Sequence, residues 1–187
     1  MATDEENCAS RQHNVLYRLR LSCLYHQLRE RFFTRLDKSL SVLLVLSATA
    51  AMGTFFQVLQ LPRWGEAATS VGTTALAVIQ LLFDFAGKAR HHAQKAADSK
   101  RLQAACARAG EKWTNEQCNE WFAQTLEMEE GEPAPMAALV AYCQNQLAIG
   151  ADGPTVKLYL HERWLMNWID FDPAAIDKRS ASAVAKT

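Results

Sequence analysis

Ser70, Thr73, Ala77, Gln80, Asp84, Gly87 and His91 follow one another at spacings of three and four, a mean near 3.5. On a helix this spacing gathers hydroxyls, an amide and a carboxylate into one seam separated by small residues. In lipid, small residues let helices approach and polar ones bond across the contact, so the seam has two readings. It packs against another helix, or several chains turn Ser70, Thr73, Ala77 and Gln80 inward around a narrow aqueous path with Asp84 as a ring of charge at its mouth. The second reading requires an oligomer, because two spans cannot enclose a channel. Thr49 and Gly53 form a small-xxx-small pair, a candidate for packing one span on another.

The remaining clusters carry weaker chemistry. His91 and His92 are adjacent, so on a helix their rings diverge by about 100 degrees instead of sharing a metal. Glu127, Glu129, Glu130 and Glu132 lack the spacing of a calcium loop and read as a solvated run. His161-Glu162-Arg163 reads as surface chemistry. Cys8, Cys23, Cys106, Cys118 and Cys143 are odd in number, widely spaced and without a CxxC pair, which fits reduced cytosolic thiols. No Walker loop, dinucleotide fingerprint, HExxH or GxSxG is present. The expectation is therefore a non-enzyme with no catalytic residue, metal or cofactor.

The seam needs an apolar helix to carry it. From Ser39 to Pro62 there are 24 consecutive uncharged residues, and from Ala67 to Phe83 another 17. Roughly 20 apolar residues cross a hydrocarbon core about 30 Å thick. Spans are predicted over about 40–61 and, with Asp84 near the surface, 67–86. Pro62-Arg63-Trp64-Gly65-Glu66 makes the tight turn of a hairpin, and Trp64 suits the interface. The competing reading is a buried soluble hairpin. The first apolar run starts too late for a secretory signal and is expected to be retained.

Arg29, Arg31, Arg35 and Lys38 precede the first span, Lys88, Arg90, Lys95, Lys100 and Arg101 follow the second, and the hairpin turn has only Arg63. The positive-inside rule then puts both termini in the cytosol. Phe32, Phe33, Trp64, Lys88 and Arg90 are candidate membrane-interface residues. The chain has 20 basic and 20 acidic residues, which argues against a nucleic-acid partner bound through a strongly basic surface.

Outside the spans, residues 1–10 read as disordered. Residues from about 11 to 36 have one apolar face of helical period, and the basic stretch from Lys88 to Glu111 reads as a helix continuing straight out of the bilayer, either attracted to anionic lipid or presenting a solvated face. Thr114 and Gln117 match a capping box opening a helix through about Met128. Glu127 to Pro135 is an acidic connector able to meet the basic helix, and Pro135 and Gly150 bracket another helix. Residues 150–172 form an aromatic helical segment that docks on the cytosolic bundle or lies among headgroups, and 173–187 a flexible tail. The predicted fold is all-α: a two-transmembrane helical hairpin with a cytosolic helical bundle built from N-terminal and C-terminal helices.

Over about residues 11–149 this order of elements resembles the SLATT domain, a two-transmembrane domain associated with bacterial SMODS nucleotidyltransferases and SLOG sensor proteins. The resemblance rests on Tyr17-Arg18-Leu19-Arg20, on RERFFTRLDKSLSVLLVL (29–46), on the hairpin, and on AGKARHHAQKAADSKRLQ (86–103). It implies an inner-membrane effector of a bacterial conflict or anti-phage system that forms a homo-oligomer and perforates or perturbs the bilayer. The trigger would come from a separate sensor or nucleotide-signalling protein, or through the C-terminal helical region. Two alternatives stand beside it: a non-conducting membrane adaptor that recruits a cytosolic partner, and a phage holin-like lysis protein.

Overall fold

The computed structural model describes the backbone of residues 4–48, 64–110, 112–149 and 155–184. Among them the fold is all-helical, with no strand: α1 (Asp4–Ala48), α2 (Trp64–Phe83), α3 (Phe85–Arg108), α4 (Asn115–Glu129), α5 (Ala137–Ile149), α6 (Leu160–Leu165) and α7 (Pro173–Val184). The chain divides into two units, one of Met1–Arg29 with His92–Thr187 and one of Glu30–His91.

In the first unit, α1 buries Cys8, Val15, Leu19, Cys23 and His26, the last four at spacings of four, four and three. That stripe is what the helical period demands of a helix with one inner face. Ala96, Ser99, Leu102 and Cys106 make the inner stripe of α3, and Leu102 and Cys106 share a core with Cys8, Val15, Leu19, Trp113 and Cys118. Side chains bridge the helices between these layers: Ser22 Oγ lies 3.3 Å from Ser99 Oγ, and Gln103 donates to the Leu19 carbonyl at 3.0 Å. Gly110 takes φ 92° just past α3, a left-handed position glycine adopts freely, and its carbonyl accepts the Trp113 indole N–H at 3.1 Å.

Thr114 opens α4 with the predicted capping box: its hydroxyl accepts from the Gln117 N–H at 3.2 Å and its own N–H donates to Gln117 Oε1 at 3.0 Å. The C-terminal segment is less helical and better anchored than expected. Only Leu160–Leu165 is helical within 155–172, and Val156, Leu158, Met166 and Phe171 pack against buried Ala138, Ala141 and Ile176. Ile176 belongs to α7, so most of the segment expected as a flexible tail is a helix with a buried anchor. At the other end α1 already begins at Asp4, where disorder was expected, and Cys8 is buried.

In the second unit, Phe33, Phe85 and Ala89 form a small core, with Phe32, Leu36 and Leu40 against it. Beyond it the helices are greasy and uncovered: Val45 is 63% exposed, Val71 70%, Leu81 81% and Leu82 74%. The helical stretch Val71–Arg108 is the one, among the described residues, long and apolar enough to cross a membrane by length and composition, and its most apolar part is almost wholly uncovered. The first expected span is helical as far as Ala48, and the rest of it lies outside the described residues, as do Thr49 and Gly53.

Helix does not run straight through the end of the second expected span. Asp84 takes φ 40° between α2 and α3, and its Oδ1 accepts the Gly87 N–H at 2.9 Å. The carboxylate thus serves as an N-cap for α3, and a local side-chain bond replaces the helical continuation the hydropathy suggested.

Candidate functional site

Two constellations bring chemistry-bearing residues together, one in each unit. In the unit of Glu30–His91, Gln80 donates from its amide to Asp37 Oδ1 at 3.3 Å and to Ser41 Oγ at 3.0 Å. Asp37, Ser41 and Leu44 are half-buried at spacings of four and three on α1, and Thr73, Leu76 and Gln80 form the matching stripe of α2. The expected seam is therefore shifted by one residue at its centre: Leu76 turns inward, while Ala77 and Asp84 are exposed. A bulky apolar side chain thus stands between Thr73 and Gln80 where a small residue was expected. The backbone of Ser70 is helical, and nothing further is described of its side chain.

The interface candidates divide in the same way. Phe33 is buried, Phe32 half-buried, and Lys88 and Arg90 exposed. Lys88 Nζ sits over three rings, 5.8 Å from the centroid of Phe33, 5.5 Å from Phe83 and 6.0 Å from Phe85. The negative faces of the rings hold the ammonium at the foot of the apolar helices. Trp64 opens α2, with only its backbone described.

The second constellation escapes sequence reasoning. In the unit containing the N- and C-terminal helices, His26 of α1 is 3% exposed and its Nδ1 lies 2.9 Å from Nδ1 of His92 on α3. The rings are tilted by 30° with centroids 5.2 Å apart. His26 Nε2 faces Glu132 Oε1 at 3.3 Å, and Lys95 Nζ reaches the same oxygen at 3.1 Å while donating to the Met128 carbonyl at 2.6 Å. The acidic connector does meet the basic helix, and an imidazole pair of buried His26 and half-buried His92 stands at the meeting point. Helical period alone marks His26 as part of an apolar face; a signal for the pair would have been the coincidence of two histidines on inner stripes of neighbouring helices.

A cavity of about 390 Å³ opens beside His26, lined by that ring with Arg18, Ser22, Tyr25, Glu129 and Glu132 and by Leu21, Val140 and the Pro133-Ala134-Pro135 turn. Arg18 pairs with Glu129 at 3.4 Å across its rim. Farther along, Glu162 is buried beneath Arg179, which binds both carboxylate oxygens at 2.6 and 3.0 Å. That guanidinium holds the Glu162 carboxyl below its ordinary range.

All five cysteines are buried free thiols. Burial pushes the Cys143 thiol up to about 12 and Cys118 up to about 11, which suits packing and not nucleophilic attack. Among the described residues no three His, Cys, Asp or Glu side chains are placed to hold a metal ion. No protein-family model matches the chain, and no curated protein or solved structure is significantly similar to it.

Proposed function

We propose that the protein is an integral membrane protein crossing the bilayer twice, over about 40–61 and 67–86, with both termini cytosolic, and that it acts as an oligomeric pore-forming or membrane-perturbing effector of a bacterial conflict system. The observation that carries the membrane part is the exposed aliphatic band on Val42, Leu43, Val45, Leu46, Val71, Val78, Leu81 and Leu82. A contiguous apolar surface of this kind belongs against lipid or other helices. The effector part rests on the resemblance to the SLATT domain and on the polar seam.

In this reading the Gln80 bonds to Asp37 and Ser41 describe a closed hairpin. Conduction requires those bonds within one chain to be exchanged for contacts between chains, driven by a separate sensor or nucleotide-signalling partner. Induced expression then depolarises cells, and Gln80→Leu or Asp84→Asn alters the leak without lowering the amount of protein in the membrane. Unchanged membrane potential at high expression, with and without a candidate activator, contradicts it.

The Gln80 geometry also favours a second reading, a non-conducting membrane adaptor. A seam whose amide is already satisfied inside the hairpin is a packing device, and the polar cavity of the helical unit is then the working surface. A chain lacking 40–86 that still captures its partner supports this reading over the first.

A further inference from the structure

A contact between two Nδ1 atoms at 2.9 Å accommodates one hydrogen. One ring donates and the other must offer a lone pair. Because His26 Nε2 faces the Glu132 carboxylate, its hydrogen sits there, and His26 accepts at Nδ1 when neutral. The contact survives when the pair is neutral and when it carries a single added proton, since one Nδ1 lone pair remains in either case. A second added proton leaves a hydrogen on each Nδ1 and no acceptor between them.

The surroundings bias these states unequally. Glu132 stabilises the first positive charge, while Lys95 shares that carboxylate and opposes a second. Arg18 and Glu129 line the same cavity and pair with each other, and the Tyr25 ring stands edge-on to His26 at 5.4 Å. With His26 3% exposed, water cannot readily replace the lost bond.

We propose that Glu132, His26 and His92 form a proton-sensitive latch between α1 and α3, closed while the imidazoles share one hydrogen and released when both become charged. The latch involves proton uptake alone, with no other bond made or broken, and it stands whether or not the hairpin conducts. Its sign follows from proton counting. The first proton, favoured by Glu132, costs no stability; below the ordinary histidine range the closed pair holds one added proton and two separated histidines hold two, so the unfolded state binds more and stability falls as pH falls through that range.

The test uses the full-length protein in detergent, labelled with ¹³C and ¹⁵N on histidine, with His26 and His92 signals assigned by His26→Gln and His92→Gln. Between pH 7.5 and 5.5 the two rings are expected to take up one proton jointly, and uptake of the next to coincide with the loss of native Trp113 and Trp121 fluorescence. In urea unfolding, the wild-type unfolding constant rises up to about tenfold more per pH unit than that of His92→Gln. Separate charging of both rings with unchanged fluorescence overturns the latch, as does an acid slope in His92→Gln within about twofold of wild type. If the variant does not fold, the wild-type histidine spectra decide alone.

Discussion

The Asp84 carboxylate and the Gly87 backbone are fitted to each other: Asp84 Oδ1 accepts the Gly87 N–H at 2.9 Å, and a Cβ on residue 87 would collide with that same carboxylate. Alanine in a helix ordinarily gains about 1 kcal/mol over glycine. Here Gly87→Ala must swing the Asp84 side chain away and lose a cap of about the same value. The expected result is no net gain for Gly87→Ala alone and a gain of about 1 kcal/mol in an Asp84→Gly background. Reversible unfolding of the wild type, both single variants and the double variant in mixed micelles measures the coupling.

Phe33 and Lys88 hold the foot of the apolar helices by different means. Phe33 is 7% exposed, so Phe33→Ala is expected to cost about 3 kcal/mol through lost burial and a cavity. Lys88→Gln removes only the attraction to the rings, about 0.5 kcal/mol at an exposed site. The same unfolding measurement should rank the two clearly, and equal losses would contradict the packing described for this core.

Gln80 makes two side-chain bonds to α1, each worth about 0.6 kcal/mol if the proposed membrane setting holds. Gln80→Leu should therefore loosen the α1–α2 contact by about 1 kcal/mol, read as earlier unfolding in a sodium dodecyl sulfate titration. Ser41→Ala should cost less in the Gln80→Leu background than on its own, since both changes remove one shared bond. Strict additivity of the two changes would show that the bond contributes nothing.

Glu162 and Arg179 tie the α6 turn to α7, and their pH dependence has a definite sign. The Glu162 pKa is lowered on folding, so its stabilisation is present above the ordinary glutamate value and is lost as pH falls through the depressed one. Arg179→Gln is expected to cost about 2 kcal/mol at pH 7, because a carboxylate 7% exposed loses its charged partner. In strong acid the variant and wild type should converge. Melting curves at pH 7 and below pH 4 test both parts.

Local signals made much of the fold legible. The Thr114–Gln117 box and the proline before α5 are read from residues within one turn of the feature they create, and each falls where expected. The meeting of the acidic connector with the basic helix is visible in charge alone and is realised by Glu132 and Lys95. A period between 3.5 and 3.6 fixes a face only to within a residue, and burial favours the larger apolar side chain of two neighbours, which is why Leu76 and not Ala77 turns inward.

What the sequence hides is longer in range or opposed by composition. His26 and His92 are 66 positions apart, and nothing near either marks its partner. Asp84 ends an apolar run whose hydropathy favours continuation, and the break depends on a side chain folding back on Gly87. The small, polar residues after Pro173 look too poor to hold a helix, yet Ile176 and Arg179 supply one apolar and one ionic anchor. The partners of both anchors lie outside that stretch, so its own composition cannot reveal them.

Alkaline extraction of native membranes followed by ultracentrifugation tests the central claim most directly, because sodium carbonate strips proteins held at the surface and leaves those crossing the bilayer. The account predicts that the chain stays in the pellet and is released only by detergent. Recovery of a dispersed, folded chain in the carbonate supernatant would contradict it.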